Sequence, residues 1–180
     1  MTVRVGAVDL GTNSTRLLVA DVQDGVVTEV GRGLRITRLG EGVDTRRKLL
    51  PVAIARVRNV LTDYRRDLDR LEADRTLAVA TSAVRDADNG EAFLGEVEWS
   101  YGFATRLLSG DEEAALTYRG VTAGRSLAPG TLIVDIGGGS TELILADRHV
   151  SLDVGCVRLT ERFGEDADAA GRHVAGLLPD

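Results

Sequence analysis

The chain has 180 residues, 43% of them hydrophobic and 28% charged, with a net charge of −6. That composition is enough for a sizeable core and excludes intrinsic disorder, while the acidic balance excludes a global basic field for duplex nucleic acid. The start, MTVRVGAVDLG, lacks the apolar centre of a signal peptide, and no run approaches the roughly 18 uncharged residues of a membrane span, so the expected location is the cytoplasm, with no membrane partner.

Cys156 is the one cysteine and His149 and His173 are the only histidines, which excludes an internal disulfide and a Cys–His zinc centre; Cys156 reads as a small packed side chain. Lys48 is the only lysine among 22 basic residues, so any phosphate clamp here is an arginine fork.

In chain order, VRVGAV (3–8), TRLLVAD (15–21) and VVTEVGRG (26–33) are rich in β-formers and separated by the turn material DLGTNS and QDG, which predicts a three-strand meander. Pro51 suits the first turn of a helix. Ile54, Val57, Leu61, Tyr64, Leu68 and Leu71 then recur at spacings of three and four, the stripe of one long amphipathic helix. RTLAVAT (75–81) reads as a strand, EAFLGEVEW (91–99) as a short helix, FATRLLS (103–109) as a strand and DEEAALTYRGV (111–121) as a third helix. After the loop TAGRSLAPG (122–130) the meander restarts, with strands at 131–136, 142–147 and 149–153 and a helix from about Cys156.

The restart is also written in the residues. AVDLGTNSTRLLVA (7–20) and IVDIGGGSTELILA (133–146) align without a gap over 14 positions, seven of them identical, at an offset of 126. A Gly-rich hairpin turn exposes backbone N–H groups with little steric obstruction, and two such turns make two jaws for a phosphate held from both sides. The candidate phosphate ligands are therefore Gly11, Thr12, Asn13 and Ser14 in the first turn and Gly137, Gly138, Gly139, Ser140 and Thr141 in the second. Asp9 and Asp135 end the strands that lead into the turns, where a carboxylate can hold a divalent cation, through water in the case of Mg²⁺. A lone Gly-rich turn is more often a tight connection. The matched pair, each copy led by an aspartate between strands, is far more specific.

The matched turns resemble those of the actin, sugar-kinase and heat-shock-ATPase superfamily, in which two ribonuclease-H-like domains close on a phosphorylated ligand. Within it, VDLGTNSTRLLVAD, AVATSAVRDADN, LLSGDEEAALTYRGV, LIVDIGGGSTELIL and LDVGCVRLTERF, in this order, resemble the exopolyphosphatase/guanosine pentaphosphate phosphohydrolase (Ppx/GppA) family over nearly the whole chain. The resemblance implies an α/β ribonuclease-H-like (actin-like ATPase) domain of order β-β-β-α-β-α-β-α over residues 1–121. The start of a second copy follows at 131–180. It also implies hydrolysis of a terminal phosphate of polyphosphate or guanosine pentaphosphate with Mg²⁺, and a homodimer.

The family uses a glutamate as catalytic base, and its motif maps that role onto Glu113; taken alone, Asp111, Glu112 and Glu113 read as N-terminal capping of a helix starting at about Gly110. Glu142 has two readings, a solvent-facing residue on strand alternation or, by the resemblance, a contributor to the metal and the attacking water. Arg85 is either the family's phosphate-contacting arginine or a surface residue entering a helix, and Arg16 stands equally between ligand and surface. Arg158 either reaches an anion or pairs with an acidic neighbour.

Two rival readings remain. One is a superfamily ATPase or kinase, which needs an adenosine-binding Gly-rich segment; the other is a non-catalytic module that binds polyphosphate or guanosine tetra- or pentaphosphate. Members of the resembled family continue well past residue 180. A complete first domain, an incomplete second one with weak or no turnover, and either dimerisation or poor order after about residue 155 are therefore expected.

Overall fold

The computed structural model describes residues 1–178. The chain divides between Leu107 and Leu108 into two compact units. In the first, β1 (Val3–Leu10), β2 (Ser14–Gln23) and β3 (Val26–Ile36) form the expected antiparallel meander. Asp24 and Gly25, at φ 51° and 80°, make the two-residue turn between β2 and β3, the left-handed pair that matches the twist of a hairpin.

A one-turn helix α1 (Val43–Arg46) precedes α2 (Pro51–Arg70), and β4 (Arg75–Ala80), the one-turn helix α3 (Ser82–Arg85), α4 (Gly90–Tyr101) and β5 (Ala104–Leu107) follow. The sheet order is β3-β2-β1-β4-β5, with β4 parallel to β1 and β5 parallel to β4. This is the ribonuclease-H-like arrangement.

Helix α2 sits where its stripe requires. Pro51 occupies the first turn, where its missing N–H costs nothing, and Ala53, Val57, Leu61, Tyr64 and Leu68 are buried. They meet Val8, Leu10, Leu17, Val19, Ala78 and Ala80, the alternate residues of β1, β2 and β4 that share one face of the sheet. Each large side chain buried there contributes about 1.5–3 kcal/mol, so Leu61→Ala, at a fully buried position, costs about 2–5 kcal/mol.

The second unit begins at Leu108 and opens with α5 (Gly110–Thr122). Its three-stranded sheet has the order β6 (Ile133–Ile136), β7 (Thr141–Ile144), β8 (His149–Leu152), antiparallel throughout, and α6 (Cys156–Phe163) and α7 (Ala167–Ala175) follow it. Helices thus occupy Cys156–Phe163 and Ala167–Ala175, in the stretch for which dimerisation or poor order is expected from the sequence. Helix α5 had been expected to close the first domain at residue 121. It packs instead on β7 and β8, with Ala114 fully buried, so the division of the chain falls before the helix rather than after it.

Candidate functional site

The two turns of the repeat have one geometry. Gly11 N donates to Ser14 O at 3.0 Å and Gly137 N to Ser140 O at 2.9 Å. A Cβ on either glycine would stand 3.0 Å from that same carbonyl, so both positions need the bare backbone for this close approach.

The turn carbonyls are occupied from behind. Thr12 O accepts from Gly40 N at 2.8 Å, and Asn13 O accepts from Thr37 N at 3.0 Å and Arg38 N at 2.9 Å, all donors that follow β3. In the second unit Gly137 O accepts from Cys156 N at 3.0 Å, and Gly138 O accepts from Val157 N at 2.9 Å and Arg158 N at 3.1 Å, donors from the first turn of α6. Each trans peptide is planar, with C=O and the next N–H pointing opposite ways. Carbonyls bound on one side therefore direct the N–H groups of Asn13 and Ser14, and of Gly138 and Gly139, to the other side, the geometry of an anion-binding nest.

Around the first turn, Thr12 is buried and its hydroxyl shares a 2.8 Å hydrogen bond with the hydroxyl of Ser82, at the start of α3. Arg85 ends that short helix and is half-buried. Asp9 faces Arg16 across the β1–β2 ladder, with Arg16 NH1 3.7 Å from Asp9 Oδ2 and the arginine side chain 61% exposed. Thr15 is fully buried; its hydroxyl meets that of Thr37 at 3.0 Å and its carbonyl accepts from the buried Tyr64 hydroxyl at 3.0 Å. Burial pushes the Tyr64 phenol above its ordinary pKa.

Around the second turn, Ser140 is buried and Thr141 Oγ1 donates to Val154 O at 2.6 Å. The hydroxyls of Thr12 and Thr141 thus serve the fold, and their turns have backbone amides to offer. Arg158 is buried and its Nε donates to Gly139 O at 2.8 Å, so the arginine supports the turn from within, a role that neither expectation for it had included.

The carboxylates of the second unit assemble around α5. Ser109 Oγ accepts from Glu112 N at 3.2 Å and Glu112 Oε2 accepts from Ser109 N at 2.9 Å, a complete capping box. Asp111 lies outermost, its Oδ1 3.1 Å from His149 Nε2. With Glu112 in the cap and Asp111 at the surface, Glu113 is the acidic residue of this turn that faces inward: its Oε2 is buried, and it sits next to Ala114 and one helical turn before Thr117.

Asp135, Glu142 and Ser151 are register partners across β6, β7 and β8 and so share one face of the sheet. Helix α5 covers that face. Thr117 Oγ1 donates to Asp135 Oδ2 at 2.9 Å, and at the other end of the helix Gly110 lies so close to Ser151 that a Cβ would meet its Oγ at 2.6 Å. Glu142 is 1% exposed and accepts from Ser151 Oγ at 2.8 Å, which overturns its reading as a solvent-facing strand residue. Alternation had placed it on one face correctly; α5 is what covers that face.

The structure therefore groups Glu113, Asp135, Glu142 and the turn 137–140 in the second unit, and Asp9, the turn 11–14, Arg16 and Arg85 in the first. Among the described residues no three His, Cys, Asp or Glu groups gather as a metal cluster. Asp135 and Glu142 nonetheless set two carboxylates side by side, a charge repulsion that a hard cation relieves, and their oxygens suit an ion that retains much of its water. Thr117 and Ser151 were missed from the sequence. The spacing of four from Glu113 and the ladder position opposite Glu142 were the signals available.

Comparison with known proteins identifies the relatives of the chain. The family model described as the Ppx/GppA phosphatase family matches residues 18–176. Exopolyphosphatase 2 of Mycobacterium tuberculosis is 45% identical over 174 residues, which cover 88% of this chain and 54% of that protein. A guanosine-5'-triphosphate,3'-diphosphate pyrophosphatase of Vibrio vulnificus is 34% identical over 177 residues, 96% of this chain and 36% of that protein. The crystal structure of an exopolyphosphatase-like protein superposes with a TM-score of 0.90 at 34% identity, covering 97% of this chain and 60% of the other. The chain thus spans about half the length of its exopolyphosphatase relative. Its repeat, its sheet order and these matches agree: the chain belongs to the Ppx/GppA phosphatase family.

Proposed function

We propose that the protein is a phosphohydrolase that releases terminal phosphate from a phosphoanhydride chain, inorganic polyphosphate or guanosine pentaphosphate. The observation that carries this reading is the pairing of Asp135 and Glu142 on the sheet face covered by α5, the helix that carries Glu113, together with the amide-lined turn 137–140 that follows β6. Relatives named for these two substrates support it.

In this reading the N–H groups of the turn 137–140 bind the oxygens of the terminal phosphoryl group. In the first unit, the turn 11–14, Arg16 and Arg85 are the phosphate ligands of the same reading. Glu113 accepts a proton from the water that attacks the terminal phosphorus, the P–O bond to the rest of the chain breaks, and its electron pair stays on the bridging oxygen of the shortened chain while the terminal group departs as inorganic phosphate. Asp135 and Glu142 in the second unit, and Asp9 in the first, are the residues that would hold a divalent cation such as Mg²⁺, which when bound would neutralise charge on phosphate oxygens. Because phosphoryl transfer is dominated by positioning and charge, this site needs one base and no covalent nucleophile.

The test is release of inorganic phosphate from polyphosphate and from guanosine pentaphosphate, with Mg²⁺ and with chelator. Mg²⁺-dependent release from either substrate, lost in Glu113→Gln, is the expected result. Binding of both without any release would make the protein a phosphate-chain sensor and overturn the proposal.

A further inference from the structure

We infer that Thr117 and Ser151 are positioning residues whose hydroxyls set the orientation of the Asp135 and Glu142 carboxylates, Thr117 from the helix that carries Glu113 and Ser151 from the neighbouring strand. The inference rests on the reading of these carboxylates as cation ligands given above. Thr117 occupies an inward position of α5, one turn from Glu113 and about 6 Å along the helix axis. Packing alone favours an apolar residue at such a place, and Leu116, its neighbour, is 47% exposed instead. The hydroxyl of Thr117 donates to Asp135 Oδ2 at 2.9 Å, across 18 residues of sequence.

Ser151 makes the matching contact one strand further on, donating to Glu142 Oε1 at 2.8 Å, and Gly110 of the same helix lies against it. The carboxylate rotor of an aspartate or glutamate is broad and nearly two-fold, so an unrestrained carboxylate spends much of its time in the wrong orientation for a given cation. A hydroxyl anchored on a rigid helix removes that freedom before binding. Loss of such outer partners typically weakens metal binding about 10–100-fold.

The experiment uses the 180-residue chain, three hydroxyl variants and Asp135→Asn as the control for the cation reading. Thr117→Val keeps the shape of the side chain without the hydroxyl, Thr117→Ser keeps the hydroxyl without the methyl, and Ser151→Ala removes the second donor. Mn²⁺ binding in the presence of inorganic phosphate is followed by electron paramagnetic resonance, and the carboxyl carbon resonances of Asp135 and Glu142 are followed by NMR without metal.

Thr117→Val is expected to weaken Mn²⁺ binding about tenfold or more and to move the Asp135 resonance, while Thr117→Ser restores both. Ser151→Ala is expected to do the same at Glu142. Equal weakening in Thr117→Val and Thr117→Ser would assign the effect to helix packing and overturn the inference, as would unchanged Mn²⁺ affinity in Thr117→Val. If Asp135→Asn keeps full Mn²⁺ affinity, or the unmodified chain binds no Mn²⁺, the cation reading itself fails. The inference is then decided by the resonances: an Asp135 signal unmoved in Thr117→Val refutes it.

Discussion

Gly155 gives the sharpest test of how the second turn is held. Its φ of −155° is extended backbone open to any residue, so the glycine is required for space and not for conformation. A Cβ there would stand 2.5 Å from the carbonyl carbon of Gly138, 2.6 Å from its oxygen and 2.6 Å from Gly139 N. All three are backbone atoms that cannot swing aside. Restoring ordinary contact in Gly155→Ala moves the start of α6 away by about 1 Å.

That displacement stretches the bonds from Cys156 N, Val157 N and Arg158 N to the turn, now 2.9–3.1 Å, past hydrogen-bonding distance. Overpacking costs about 1–3 kcal/mol and each lost bond about 1 kcal/mol; the protein takes the cheaper mixture, so the expected loss is about 2–4 kcal/mol. Restriction of the unfolded chain by alanine works in the opposite direction, by about 0.4–1 kcal/mol, so a net loss is steric in origin. Urea unfolding measures the stability, and calorimetric titration with short polyphosphate measures the turn, whose amides lose their aim when the Gly138 carbonyl moves. Wild-type stability together with wild-type phosphate affinity in Gly155→Ala would refute the claim that α6 shapes this turn.

Glu113→Gln is expected to lower phosphate release about 10²–10⁴-fold with phosphate binding and melting temperature unchanged, whereas Glu112→Gln, which alters the capping box, keeps turnover; the reverse pattern would move the base by one residue. Arg85→Ala is expected to weaken binding of short polyphosphate about tenfold with little change in melting temperature, because it removes charge-assisted bonds from a half-buried helix end; unchanged affinity by calorimetry returns Arg85 to the surface. Tyr64 has a raised pKa, so the folded protein keeps a phenolic proton that the unfolded chain releases, and the associated stability is complete below about pH 10 and lost as pH rises through the folded value. Tyr64→Phe is expected to lose about 1–2 kcal/mol at neutral pH with the bond to Thr15 O and to flatten the alkaline loss, both read from urea unfolding across pH.

The meander, the long helix and the repeat were legible because each has a local signature: Asp24-Gly25 for the hairpin, the stripe from Ile54 to Leu71 for α2, and the aligned turns for the duplication. The one-turn helices α1 and α3 are too short to show a period and were not foreseen. Nor was the allegiance of α5. Its sequence announces an amphipathic helix with an acidic start, but which sheet it covers is decided by partners far along the chain, Asp135, His149 and Ser151. The same helix explains Glu142, since alternation along a strand tells which residues share a face and is silent about what lies over it.

The two turns share a closing hydrogen bond, yet they are no longer interchangeable parts. At the middle positions one copy has Thr12-Asn13 and the other Gly138-Gly139. The first copy uses a side chain there, the Thr12 hydroxyl, to fasten itself to Ser82. The second has no side chain at either position, and the backbone of Gly155 lies directly against its Gly138–Gly139 peptide. Transplanting glycines into the first turn would cut that fastening. The residues that close the turn, Gly11 with Ser14 and Gly137 with Ser140, are the same in both copies, whereas each turn is braced by its own neighbour, Ser82 for the first and the start of α6 for the second, so a change in the middle of either turn is felt by a different part of the fold.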